Sequence, residues 1–274
     1  MEPKNPEPRE VIARLKSLRA HFNASAEDYR RMESTLGDAL ALLEDAEAKK
    51  SEARLDKGRV ALDQRAGLLA GLQIGTQGKA RFVVVADGSG SMHGSPITAA
   101  LDTAELVQKA GTYAKAPSGG LLLWGDPSPV AITGDLGDAS VRRPVLQGLN
   151  LGTDLAPTAA EMRKIAAFNT VEKKATHFLV FSDGDIFDRE KAGEQLAGML
   201  QANKTATVDF FILARVGTRM EGMVKEFELA FPGRVNQHMI TVADASVAAQ
   251  DKVLEVAEKR LRAGQPKAKP ALQP

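Results

Sequence analysis

Three oxygen-bearing side chains alternate along Asp87-Gly88-Ser89-Gly90-Ser91, directly after the apolar run Phe82-Val83-Val84-Val85-Ala86. Alternate positions on an extended chain point the same way, and the intervening glycines permit a tight turn. The spacing therefore predicts three oxygens directed inward at the end of a strand. A second apolar run, His177-Phe178-Leu179-Val180-Phe181, ends in Ser182-Asp183-Gly184-Asp185 and brings another carboxylate to the same edge if the two strands are neighbours. Between the two runs, Gly152-Thr153-Asp154-Leu155 opens a helical pattern and can supply a threonine hydroxyl. Hydroxyls and carboxylates together suit a hard cation, magnesium first, with manganese or calcium behind it. Zinc is not expected where histidine and cysteine are absent from the set. With Ser89, Ser91 and Thr153 bound directly and Asp87 and Asp183 partly through water, the ion's charge is only partly neutralised. Such a site favours an incoming carboxylate.

Positioning these residues requires a frame, and the chain from residue 77 onward has the texture of one. Short β-branched runs at 81–86, 121–124, 130–133, 177–181, 208–213 and 235–242 alternate with helical patterns near 96–115, 155–169, 189–203, 220–231 and 246–262. That alternation predicts a doubly wound α/β domain with a mostly parallel sheet over residues 77–262. Ligands in such sheets sit beyond the carboxyl ends of the strands, where the loops after Ala86 and Phe181 fall.

Here the sequence resembles the von Willebrand factor A domain, whose metal ion-dependent adhesion site reads D-x-S-x-S, then a threonine, then an aspartate after a central strand. The resemblance covers roughly residues 80–262, and three separated elements agree with it. Carried over, Asp87, Ser89, Ser91, Thr153 and Asp183 take the family's five metal positions with none substituted. The resemblance implies a Rossmann-like fold, a bound cation such as magnesium, and a protein partner whose acidic residue completes the coordination. The leader and the stretch SGSMHGSP look more like the bacterial intracellular branch, which includes metal-chelatase subunits and companions of AAA+ ATPases. That implies an adaptor whose partner is an AAA+ ATPase or its substrate.

Several neighbours of the five residues invite blander readings. Asp154 is expected to cap the helix that follows, and Asp185 to cap or to support the ligands from behind. His93 is expected in a solvated loop, while Met92, Trp124 and His177 are expected to pack.

Catalytic alternatives find less support. A haloacid dehalogenase-like phosphatase needs a second aspartate two residues after the first, where this chain has Ser89. Neither Ser89 nor Ser91 sits in G-x-S-x-G, and G-x-x-x-x-G-K-[ST] is absent. No catalytic constellation emerges, so a metal-dependent binding module leads, with a metal-assisted hydrolase and a structural, oligomerising protein as the alternatives.

Ahead of the α/β region, residues 10–76 read as a helical leader. Tyr29, Met32, Leu36, Leu40 and Leu43 share one face, and Leu55, Leu62 and Leu69 form a second row out of phase with the first. A hairpin is expected, with one long helix as the rival, and either could support coiled-coil self-association. Its leucine faces are expected to bury against the sheet domain, or else against a partner or second copy. Residues 1–9 and 263–274 are proline-rich and expected to be disordered.

Composition excludes more than it names. Lys and Arg total 36 against 35 Asp and Glu, which gives no field to attract nucleic acid or an anionic membrane. The lack of cysteine fits a reducing compartment, and neither a secretory signal nor an apolar membrane span is apparent. A cytoplasmic location is expected.

Overall fold

A computed structural model describes residues 58–76, 78–116, 120–125, 127–149, 151–184, 188–213, 220–240 and 245–263. The expectations for residues 1–57, including the choice between hairpin and long helix, lie outside them, as do Asp185 and the tail 264–274. The chain divides into two compact units, Met1–Ala61 and Leu62–Pro274. The second carries the sheet and every residue of interest below.

Among the described residues the strands are β1 (Ala80–Asp87), β2 (Leu121–Trp124), β3 (Val130–Ile132), β4 (Ala175–Ser182), β5 (Ala206–Ile212) and β6 (Val235–Met239). The helices are α1 (residues 58–75), α2 (Ser95–Tyr113), α3 (Ala139–Gln147), α4 (Ala156–Val171), α5 (Arg189–Ala202), α6 (Met220–Ala230) and α7 (Ala245–Ala263). The strands form one sheet in the order β3-β2-β1-β4-β5-β6, parallel except for β3 at one edge. This is the doubly wound α/β class expected from the alternation of strand and helix patterns.

The sheet is covered on both faces, which is why β1 reads as an unbroken apolar run rather than an alternating one. Phe82, Val84 and Ala86 face a core completed by α1, α2 and α7, whereas Val83 and Val85 face one completed by α4, α5 and α6. Leu62, Ala66, Leu69 and Ala70 recur at helical spacing and are all buried in the first of these cores. Leu62 and Leu69, the described members of the leader's later leucine row, thus belong to the sheet's own packing.

From β1 the chain moves outward to β2 and β3, then returns to the other side of β1 with β4. The winding reverses between β1 and β4, and at such a reversal the connections diverge and leave a crevice at the carboxyl ends of the strands. Asp87 closes β1 and Ser182 closes β4, so both acidic turns stand at that edge of the sheet, on either side of the reversal.

Helix α3 was not anticipated by the apolar pattern. It is only nine residues long and carries Pro144 internally, which argues against a helix in the sequence, although Val141 and Val145, four positions apart, both pack on the core. Asp138 starts it by accepting from the Ser140 amide at 2.8 Å. No helix among the described residues is long and apolar enough to cross a membrane.

A buried polar cluster lies on the α7 side of the sheet. Asp209 of β5 is fully buried and accepts from Arg260 of α7 at 2.8 Å, Asn236 at 2.7 Å and His238 at 3.1 Å. Burial alone would raise its carboxyl; the His238 bond, the Arg260 charge and the Asn236 bond overcome that and hold it below the usual range.

Candidate metal centre

Asp87 is fully buried at the end of β1, and its Oδ1 accepts the Ser89 amide at 2.9 Å. The chain then turns sharply. Ser89 remains extended (φ −70°, ψ 158°), but Gly90–Met92 form a single 3₁₀ turn, with the Met92 amide bonded to the Ser89 carbonyl at 3.2 Å. The straight alternation expected of 87–91 is therefore broken after Ser89. The turn brings the exposed Ser91 back toward the buried Ser89, and their Oγ atoms lie 2.9 Å apart. Met92 is fully buried beneath the loop, His93 is exposed, and Trp124 is core, each as its residue type and position suggested.

The other oxygen of Asp87 is held from the neighbouring strand. Ser182 Oγ donates to Asp87 Oδ2 at 3.0 Å and accepts the Gly184 amide at 3.0 Å. Ser182 was passed over in the sequence, where the only signal was its position between an apolar run and Asp-Gly. Burial pushes the Asp87 carboxyl up to about 6; bonds from Ser89 and Ser182 oppose this, and the Asp183 charge adds to it. Two carboxylates thus converge here without a cationic side chain among the causes acting on Asp87.

Thr153 arrives on the connection from α3 to α4. The Leu151 amide donates to the Gly88 carbonyl at 3.1 Å, and the Gly88 amide to the Trp124 carbonyl at 3.0 Å. These bonds draw three chain segments so close that Gly88 has no room for a side chain. A Cβ there would stand 2.7 Å from Leu151 Cδ1 and 2.8 Å from the Trp124 carbonyl oxygen. At the start of α4, Leu155 occupies the N-cap without a side-chain bond. The cap expected from Asp154 is supplied instead by Asp188, whose two oxygens accept the Leu155 and Ala156 amides at 2.8 and 2.7 Å.

The donor set can be tested against a hard cation on the atoms themselves. Thr153 Oγ1 and Asp183 Oδ1 are both buried without a hydrogen-bond partner, two of eight such side-chain atoms among the described residues. Leaving such an atom unmatched costs roughly 1–3 kcal/mol, so native proteins keep few of them. Ser89 Oγ and Ser91 Oγ are hydrogen-bonded to each other at 2.9 Å, which holds two neutral oxygens side by side. Among the described residues no three His, Asp or Glu side chains gather as a metal-binding group.

Fold and site together define a doubly wound α/β protein with an acidic, hydroxyl-rich crevice at its switch point. No protein-family model matches the chain, and no curated protein matches it either.

Proposed function

We propose that this crevice is a divalent-cation site of the von Willebrand factor A type and that the protein uses it to bind an acidic residue of a protein partner. The observation that carries the reading is that Thr153 Oγ1 and Asp183 Oδ1 are each buried without a hydrogen-bond partner, with Asp183 close enough for its charge to act on Asp87. Asp87 spends both oxygens on internal bonds to Ser89 and Ser182, so its role is to organise the loop and to act on the ion through water. Ser89, Ser91 and Thr153 are neutral donors, and Asp183 is the remaining charged one. Magnesium, or manganese or calcium in its place, would supply an incompletely neutralised Lewis acid for a carboxylate oxygen. The resemblance to companions of AAA+ ATPases makes such an ATPase, or its substrate, the partner class in this reading.

The test is recovery of partners from native lysate with the full chain as bait, in magnesium, in EDTA, and with Asp87→Ala in magnesium. A partner retained only by the native protein in magnesium is expected. Equal recovery in all three arms rejects the reading, as does phosphate-ester turnover that disappears in Asp87→Ala.

A further inference from the structure

Three connections build the crevice, and each pair of them is tied by hydrogen bonds. The loop after β1 is bonded to the Thr153 connection through the Leu151 amide and the Gly88 carbonyl at 3.1 Å. It is bonded to the end of β4 through Ser182 Oγ and Asp87 Oδ2 at 3.0 Å. Asp188 makes the third tie: it follows Asp183 by five positions on the same connection, yet its carboxylate is spent on the start of α4 at 2.8 and 2.7 Å. The two amides it receives are those of the N-cap Leu155 and of Ala156, the first residue of a 16-residue helix, where a negative charge is matched to the positive end of the helix dipole. Thr153 lies only two residues before Leu155, so little chain freedom remains between the clamped amides and the threonine hydroxyl.

We infer that Asp188 is a positioning residue for the proposed metal site: without touching the cation, it sets the place of Thr153 Oγ1 relative to Asp183 Oδ1. The inference rests on the metal-binding reading given above. The tie joins the connection that follows β4 to the start of α4, two residues beyond Thr153. Groups that orient ligands in this way commonly govern metal affinity by 10- to 100-fold. A purely structural cap would act on helix stability instead.

Isothermal titration of the full chain with manganese separates these roles, with thermal unfolding in EDTA measured alongside. Asp188→Ala is expected to weaken manganese binding about tenfold or more, and Asp188→Asn, which keeps one acceptor oxygen, to weaken it less. In a Thr153→Val background, which already lacks the positioned hydroxyl, Asp188→Ala should cause little further loss. If Asp188→Ala proves unable to fold, the Asn variant in both backgrounds carries the same comparison. Native affinity in the Asp188 variants with a lowered unfolding temperature overturns the inference and leaves the metal reading standing, as do losses that simply multiply in the Thr153→Val background. A native protein that binds no manganese overturns both.

Discussion

Ser182 Oγ donates to Asp87 Oδ2 at 3.0 Å across the seam between β1 and β4. The carboxylate at the centre of the crevice is therefore held by the neighbouring strand as well as by its own loop. Removing the hydroxyl in Ser182→Ala leaves a buried carboxylate oxygen short of a donor, which costs roughly 1–3 kcal/mol. Urea unfolding at neutral pH in EDTA should show that loss. An unchanged midpoint would mean that the bond contributes nothing.

Asp87 should make the metal-free protein less stable as pH rises. Its folded carboxyl is pushed up to about 6 by burial, against 3.8 for an ordinary aspartate. The folded state therefore holds a proton that the unfolded chain has released. The group's contribution is full below about 3.8 and is lost as pH rises through about 6, with a slope of at most about 1.4 kcal/mol per unit. The unfolding profile of Asp87→Asn in EDTA should lack this component, so its advantage over the native protein grows between pH 4 and 7. A metal displaces the same proton, and its affinity should fall by up to about tenfold per unit below pH 6. Parallel unfolding profiles for the two proteins would contradict the expectation.

His177 works in the opposite sense. Burial, reinforced by the Arg260 charge and partly offset by Asp209, lowers its imidazole from 6.5 to about 4, while Nδ1 lies 2.8 Å from Thr207 Oγ1. A depressed folded value means stability that is present above pH 6.5 and lost as pH falls through 4. His177→Gln should flatten that acid limb in unfolding followed from pH 7 to 3.5. An acid limb as steep as the native one would rule His177 out as its source.

Gly88→Ala tests the close approach of the three segments. The added methyl meets Leu151 and the Trp124 backbone within 2.8 Å, and backbone cannot swing aside as a long side chain can. Overpacking of this kind costs typically 1–3 kcal/mol, and displacement of the Leu151 connection should weaken manganese binding as well. Trp124 is the chain's single tryptophan, so its fluorescence reports directly on this corner. Native stability and an unshifted emission maximum would show that the loop accommodates the methyl freely.

Arg260→Ala should be the most damaging substitution away from the crevice. It strips the fully buried Asp209 of its charged partner, and breaking a buried pair from one side costs about 3–5 kcal/mol. Arg260→Met, together with Asp209→Leu, should recover part of that loss in the same unfolding measurement. If the double variant is no more stable than Arg260→Ala, the pair is not the origin of the cost.

The strands that position the crevice were legible because they are buried on both faces: β1 and β4 are short unbroken apolar runs, each ending in an acidic turn. Helix α3 was not, since it is nine residues long and interrupted by Pro144, a residue that ordinarily ends a helix. Ser182 and Asp188 escaped notice for a different reason. Their partners, Asp87 and the amides of Leu155 and Ala156, lie 95, 33 and 32 positions away, and no local spacing encodes such a meeting.

By itself the sequence determined the α/β class and the two acidic turns that end β1 and β4. Those features are written in residue type and in periods of two and three to four, which act over a few neighbouring positions. Only the tertiary structure decided that β4 lies beside β1, that the serine hydroxyls converge through a 3₁₀ turn, and that Ser182 and Asp188 hold the parts in place. These follow from the order of the strands and the closeness of Gly88, Leu151 and Trp124, which packing settles among segments far apart in the chain.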